Sequence, residues 1–343
     1  MKMTFRWYGE EDSIPLTYIK QIQGMTGVAT AVYDVPVGEV WSLDRLLRLR
    51  KLANAAGLAM EVVESVPVHE DIKLGRPTRD KYIDAYRQNV LNCGKAGVKC
   101  ICYNFMPVFD WLRTDLCFKH KDGATSLAYS HDTLMKIDPK NLHLPGWNES
   151  YTHDELSALL EAYSGMTHET LFENLIYFLK GIMPACNEVG IDMAIHPDDP
   201  PWDMFGLPRI MCNEDDCDRL FAAVPDQHNG ITFCTGSLGA ERENKLPAMA
   251  AKYADRIYFA HLRQLAYTDG LDFYENGHMT HCGNVDIYGI VKALVDNGFD
   301  GYVRPDHGRN IFGEDAKPGY GLFDRALGAA YLLGLFEAVE KSK

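Results

Sequence analysis

The sequence predicts a (β/α)8 barrel carrying a long insertion after its fourth strand. Three observations point there. Eight short apolar or β-branched runs recur along the 343 residues, helical patterns separate most of them, and no Pro/Gly/Ser-rich linker divides the chain. Strands that alternate with helices imply a parallel sheet with right-handed crossovers. Eight such units close into a barrel. A doubly wound open sheet is the rival arrangement.

The runs fall in order. TFRW (4–7) is the first candidate strand, and GVATAVY (27–33) follows a turn at Gly24. The helical segment 42–57 places leucines near the 3.6-residue period and ends at Gly57, a helix-terminating residue. AMEVVES (59–65) is the third strand. A helix from about Arg79 to Ala96 leads into VKCICYNF (98–105), the fourth. Residues 106–152 show little periodicity but contain Trp111, Pro139, Pro145 and Trp147. A connection this long is usually functional or disordered, and its aromatic content favours an ordered excursion inside one barrel domain spanning 1–343.

After the excursion, a helix over about 168–189 puts Leu171, Leu175, Phe178, Leu179 and Ile182 on one face. IDMAIH (191–196) is strand five. The helix EDDCDRLFAAV (214–224) precedes GITFC (230–234), strand six, which a helix to about residue 253 follows. DRIYFAH (255–261) is strand seven. A helix with Val291, Leu294 and Val295 ends at Asn297-Gly298, and GYVRP (301–305) is strand eight. The last helix carries Phe323, Leu327, Ala330 and Leu333 as its expected buried stripe.

Bulk properties exclude several functions. A net charge of −14 repels a phosphate backbone, so nucleic acid is not an expected partner. No run approaches the roughly 18 apolar residues of a membrane span, and MKMTFRWYGEED has no signal-peptide core. Nine scattered cysteines, odd in number and without a CxxC pair, read as reduced thiols. A cytoplasmic protein is the expectation. Neither GxxxxGK[ST] nor a post-strand GxGxxG occurs, so nucleotide binding has no support.

Active sites of such barrels lie at the C-terminal ends of the strands. Strand five ends in His196, strand six in Cys234, strand seven in His261, and strand eight leads into Asp306 and His307. Taken singly, each has a plain reading. The histidines could be surface residues, Cys234 a small buried hydrophobe, Asp306 a turn cap. Four consecutive strand tips that each offer a metal donor favour one shared ion. Two imidazoles, a thiolate and a carboxylate suit Zn2+ or Fe2+, and the carboxylate also admits Mn2+. His307 points away from its neighbour Asp306 and is better placed as an acid/base. Arg304 and Arg309 flank it as candidate clamps for a substrate carboxylate. Tyr320 sits between glycines in KPGYGLFD, where simple packing is the plain reading. In HPDDPPWD (196–203), Asp198, Asp199 and Asp203 read as solvated loop charges, with support of the metal ligands as the alternative. His278, His281 and Cys282 form a weaker candidate second metal cluster in an acidic loop.

Taken together, MTFRWYG, AIHPDDPPW, FCTGSLG, FAHLR, RPDHGR and PGYGL, in this order over about residues 3–340, resemble the mannonate dehydratase family. The resemblance implies a barrel of the xylose-isomerase-like type, a homodimer or higher homo-oligomer, and a divalent metal, Mn2+ or Fe2+. It implies dehydration of D-mannonate, a small sugar acid, to 2-keto-3-deoxy-D-gluconate in hexuronate breakdown. The family's metal motif falls on His196, Cys234, His261 and Asp306, and its catalytic motif on His307 and Tyr320. Which of the pair is base and which acid stays open, and Tyr320 needs a lowered pKa to act as the base. The alternative is a metal-dependent sugar isomerase or epimerase on the same barrel, although the cysteine departs from their carboxylate-rich ligand sets. A metal-dependent DNA endonuclease conflicts with the acidic charge, and a non-enzymatic binding protein has no need of His307 and Tyr320.

Overall fold

A computed structural model describes residues 1–137 and 152–343. Eight parallel strands close a barrel: β1 (Lys2–Arg6), β2 (Gly27–Thr30), β3 (Ala59–Glu64), β4 (Cys100–Tyr103), β7 (Asp192–Ile195), β8 (Asn229–Cys234), β9 (Ile257–Leu262) and β12 (Tyr302–Pro305). Their order around the barrel follows the chain, so each expected strand is present and sits beside its sequence neighbours. The pleat divides each strand between two cores. In β4, Cys100 and Cys102 face the barrel interior with Ala29, Val62, Ala194 and Phe259, while Ile101 and Tyr103 join the larger layer beneath the helices. The small side chains among the interior residues leave room for the Phe259 ring in a narrow barrel lumen.

Helices cover the outside. The helix Leu43–Ala55 starts where the Ser42 side chain accepts from the Arg45 N–H, and it buries Leu46, Leu49 and Ala53. The helix His168–Val189 buries the predicted stripe and stops at Gly190, whose φ of 64° a side chain would disfavour. The region read as one helix after β8 is two, Thr235–Ala240 and Leu246–Lys252. The final helix, Phe323–Lys341, corrects a second expectation. It buries Arg325, Gly328, Ala329, Leu332, Phe336 and Val339, whereas Phe323 and Leu327 are exposed. The cause is close packing: a Cβ on Gly328 would lie 2.5 Å from His278 Nδ1, and Arg325 stacks 4.0 Å from the Phe5 ring. Such an approach needs glycine at the contact, so the helix turns the face that carries Gly328, with Leu332 and Phe336, toward the barrel and leaves Phe323 and Leu327 outside.

Part of the 106–152 excursion is regular structure. β5 (Asp115–Lys119) and β6 (Thr125–Tyr129) form a hairpin. It pairs through β6 with a second hairpin, β10 (Gln264–Tyr267) and β11 (Phe273–Asn276), giving a four-stranded antiparallel sheet in the order β10-β11-β6-β5. Pro139, Pro145 and Trp147 lie outside the described residues. This sheet was not anticipated. It stands on the barrel rim, since β10 begins one residue after β9 and Trp111 bridges to Asp199. Among the described residues no helix is long and apolar enough to cross a membrane.

Candidate active site

Strand register sets the site. Cys234 on β8 pairs with His261 on β9, and His261 pairs with Arg304 on β12. Glu64 on β3 pairs with Cys102 on β4. These residues therefore ring the C-terminal mouth at similar height. They line or adjoin a cavity of about 210 Å3 whose wall includes Arg6, Tyr8, Trp111, Arg263, Lys317 and Tyr320.

One donor atom from each of His196, Cys234 and His261 lies within 4.8 Å of the others. His196 Nδ1 sits 2.7 Å from the Pro197 carbonyl, an acceptor, so Nδ1 carries a hydrogen and Nε2 is the nitrogen left to bind a proton or an ion. Both nitrogens of His261 are buried without a hydrogen-bond partner. The Ser237 hydroxyl donates to Cys234 Sγ at 3.2 Å. Asp306 flanks the three, 3.6 Å from Cys234 Sγ and 3.9 Å from His261 Nδ1, and Arg304 Nη2 holds its Oδ1 at 2.7 Å. A second trio, Glu64, Cys102 and His261, shares the same histidine. Glu64 was missed because a glutamate closing an apolar strand carries no local signal.

Electrostatics fit a cation here. Burial opposes protonation of His196, yet Cys234 and Asp306 outweigh it and raise the imidazole to about 9. A pocket that draws a proton this strongly draws a metal ion for the same reason. Burial and the Arg304 guanidinium push His261 well below its ordinary value, which keeps a lone pair available. Burial favours the neutral acid at Asp306, but Arg304, His307 and His261 hold it well below the usual carboxylate range. Orphaned imidazole nitrogens, a thiol and an ionised carboxylate on one rim are a donor set that a divalent cation would complete.

Beside this cluster, His307 Nε2 lies 2.9 Å from the Tyr320 hydroxyl. His307 Nδ1 faces both oxygens of Glu275, at 3.0 and 2.9 Å. Burial pushes the Tyr320 phenol upward, the opposite of what a tyrosinate base requires. Behind the pair, Arg113 grips Asp199 through two bonds of 2.8 and 3.0 Å and reaches Glu275 at 2.8 Å. Arg263 donates to Asp199 and to Glu275, each at 2.6 Å. Asp199 is thus a buried network member rather than a solvated charge, and Asp198 accepts from the Ile210 and Met211 N–H groups at 2.6 and 2.8 Å. Asp203, half-exposed, accepts from the Arg209 N–H.

The two arginines flanking His307 separate. Arg304 lines the cavity, and its Nε and Nη1 have no hydrogen-bond partner there. Arg309 is not brought to the cavity; it pairs with Asp122 at 3.1 Å and Asp324 at 3.0 Å. His278 is buried against the last helix, while His281 and Cys282 sit on a short 3-10 turn, and these three do not form a metal-holding group among the described residues.

Two consequences are measurable. A Cβ on Gly236 would lie 1.8 Å from Arg263 Nε, and that guanidinium is pinned by three carboxylates, Asp199, Glu275 and Asp306. Gly236→Ala is expected to destabilise the protein by about 1–3 kcal/mol, as overpacking does. Calorimetry checks this, and an unchanged Tm would mean that Arg263 has room to move. The second concerns acid. Burial raises Glu275, but His307, Arg263 and Arg113 outweigh it and hold the carboxyl at about 2. Burial likewise opposes ionisation of Asp199, and Arg113 and Arg263 keep it below the usual range. Folded values below unfolded ones give stability that is complete above about pH 5 and lost as pH falls toward 2. Thermal unfolding from pH 7 to 3 should show Tm falling below about pH 5, with a shallower fall in Asp199→Asn.

Comparison with known proteins gives the family. A family model described as D-mannonate dehydratase (UxuA) matches residues 1–343. Mannonate dehydratases of Thermotoga petrophila and Thermotoga maritima are each 50% identical over 357 aligned positions, covering 100% of this chain and 99% of theirs. The crystal structure of mannonate dehydratase from Streptococcus suis serotype 2 superposes with a TM-score of 0.92 at 45% identity, covering 100% of this chain and 94% of that one. D-psicose 3-epimerase, at 14% identity and a TM-score of 0.58 over 99% of both chains, shares the barrel fold alone. This chain belongs to the D-mannonate dehydratase family.

Proposed function

We propose that this chain is a metal-dependent dehydratase that converts D-mannonate to 2-keto-3-deoxy-D-gluconate and water in hexuronate breakdown. The observation that carries this reading is the meeting of two groups at one cavity. The His196, Cys234 and His261 donors lie within 4.8 Å of one another, beside a His307–Tyr320 pair 2.9 Å apart.

The C2 hydrogen of a sugar acid is a weak acid because its removal places charge beside an ionised carboxylate. His196, Cys234 and His261, with Asp306, would hold a divalent cation, which would supply the positive charge that offsets it. Manganese or ferrous iron is our reading of that ion, and zinc also suits the donors. Arg304, with two unpaired donors at the cavity wall, is placed to grip the substrate carboxylate. His307 Nε2 takes the C2 proton. Tyr320 gives its phenolic proton to the C3 hydroxyl, which leaves as water. The resulting 2,3-enol ketonises at C2 and takes a proton at C3. The upward push of burial on the Tyr320 phenol supports the donor role.

The reading extends to the whole protein. One barrel domain over 1–343, with 106–152 as its insertion, carries the site. Nine free cysteines support a reducing, cytoplasmic location. Exposed Phe312, Phe323 and Leu327 on one surface support a homodimer or larger assembly, which light scattering would measure. The test of function is an assay of the purified protein with D-mannonate, and separately with ketohexoses, across Mn2+, Fe2+ and Zn2+, alongside metal analysis. A 2-keto acid from D-mannonate alone supports the reading. Turnover of ketohexoses without that product would replace it with an isomerase or epimerase.

A further inference from the structure

We propose that Glu275 is a positioning residue for His307, fixing the tautomer that makes Nε2 the base, and that the antiparallel sheet on the barrel rim exists to hold it there. The inference rests on the reading of His307 as the base. An ionised carboxylate only accepts hydrogen bonds, and both Glu275 oxygens face Nδ1 at 3.0 and 2.9 Å. Without a hydrogen on Nδ1, three lone pairs would meet in a buried space. Arg263 Nη1 also approaches Nδ1, at 2.5 Å, with one N–H on Glu275 Oε1 at 2.6 Å; its second N–H is the competing donor, set against two carboxylate oxygens that can only accept. The arrangement therefore favours Nδ1–H, which leaves the Nε2 lone pair directed at the Tyr320 side of the cavity.

The carboxylate has no freedom to swing away. Arg113 holds Oε1 through Nε at 3.1 Å and Nη2 at 2.8 Å, and Arg263 holds it at 2.6 Å. Asp199 fixes both arginines from the other side, so two guanidiniums face two carboxylates in a buried square. His307 can then gain a proton beside Glu275 without leaving an unpaired buried charge. Three of its four members arrive from the rim sheet and its connections, and Asp199 from the segment after β7. Arg263 is the single residue between β9 and β10, and Arg113 comes from the excursion. Glu275 lies on β11, which pairs with β10 on one side and with the excursion strand β6 on the other. The excursion thus buttresses the proton-transfer pair rather than decorating the barrel.

The test combines kinetics with a direct view of the imidazole. Glu275→Gln keeps size and can still accept from the arginines, but its amide N–H2 turned toward Nδ1 favours the opposite tautomer. We expect kcat on D-mannonate to fall on the order of 10³–10⁴-fold, as when an amide replaces the carboxylate behind a catalytic histidine. KM should stay within about threefold, because a loss confined to the chemical step leaves binding intact. Glu275→Asp should recover part of kcat. In a His307→Asn background, Glu275→Gln should cost nothing further, since the two act as a unit. Histidine 15N NMR of the zinc-loaded wild type should show His307 protonated at Nδ1, moving to Nε2 in Glu275→Gln. A wild-type His307 protonated at Nε2 overturns the proposal, whether or not the variants fold. So does a Glu275→Gln enzyme with near-normal kcat. A wild type that leaves D-mannonate untouched instead defeats the proposed function, and the NMR result still decides the tautomer.

Discussion

His307→Asn is expected to lower kcat on D-mannonate by about 10²–10⁴-fold, the range that a positioned acid or base contributes. Metal content and substrate affinity should stay near wild type. The imidazole is buried among Glu275, Arg263 and Tyr320 and is not one of the clustered donors, so its loss should remove the proposed proton transfer without opening the donor cluster. Asparagine retains a polar group for Glu275 and avoids stranding that carboxylate. Tyr320→Phe should give a comparable loss. Its ring packs edge-on to Tyr8 with centroids 5.2 Å apart, a contact that phenylalanine keeps while losing only the hydroxyl. Steady-state kinetics with metal analysis separate the cases. Near-normal kcat in either variant removes that residue from the mechanism.

Cys234→Ser and His261→Asn are expected to weaken metal retention by more than the roughly 10–100-fold typical of residues that merely orient a ligand. Cys234 is the softest donor in the trio, and a serine hydroxyl is a poor substitute for a thiolate. His261 is shared by both donor trios, and neither of its nitrogens has a hydrogen-bond partner, so its removal leaves the cluster incomplete on two sides. Binding to the native state alone stabilises it by about 2.7 kcal/mol at a hundredfold excess over Kd. Chelation should therefore lower the wild-type Tm, and the same treatment should shift Cys234→Ser far less. Elemental analysis and unfolding curves check both statements, and an unchanged metal content in Cys234→Ser would sink its assignment as a ligand.

The barrel was legible because its signals are local. Each strand is a short apolar run, each helix a 3.6-residue stripe, and the barrel rule then sends His196, Cys234, His261 and Asp306 to one rim. The antiparallel sheet was not legible because its partners are distant. Tyr129 pairs with Phe273 across more than a hundred residues, and β5 alternates exposed and half-buried positions that read as loop. Glu275 inherits that obscurity: FYEN looks like polar loop until its pairing turns the glutamate inward. Asp199 was misread for a related reason, since its arginine partners come from Arg113 and Arg263, far from HPDDPPW. Arg263 itself lay in plain sight within FAHLR, one of the motifs that carry the family likeness. The last helix shows the limit of periodicity, because Phe323 and Leu327 have the right spacing but close packing of Gly328 on His278 selects the adjacent face.

The central claim is that this site removes the C2 hydrogen and the C3 hydroxyl of D-mannonate. Proton NMR of the metal-loaded protein with D-mannonate in D2O tests it most directly. The account predicts that the C2–H signal disappears as a 2-keto-3-deoxy acid accumulates with one deuterium at C3, because ketonisation of the enol takes a proton from solvent. Unchanged D-mannonate would contradict it, as would C2–H exchange that yields only the C2 epimer with the C3 hydroxyl retained.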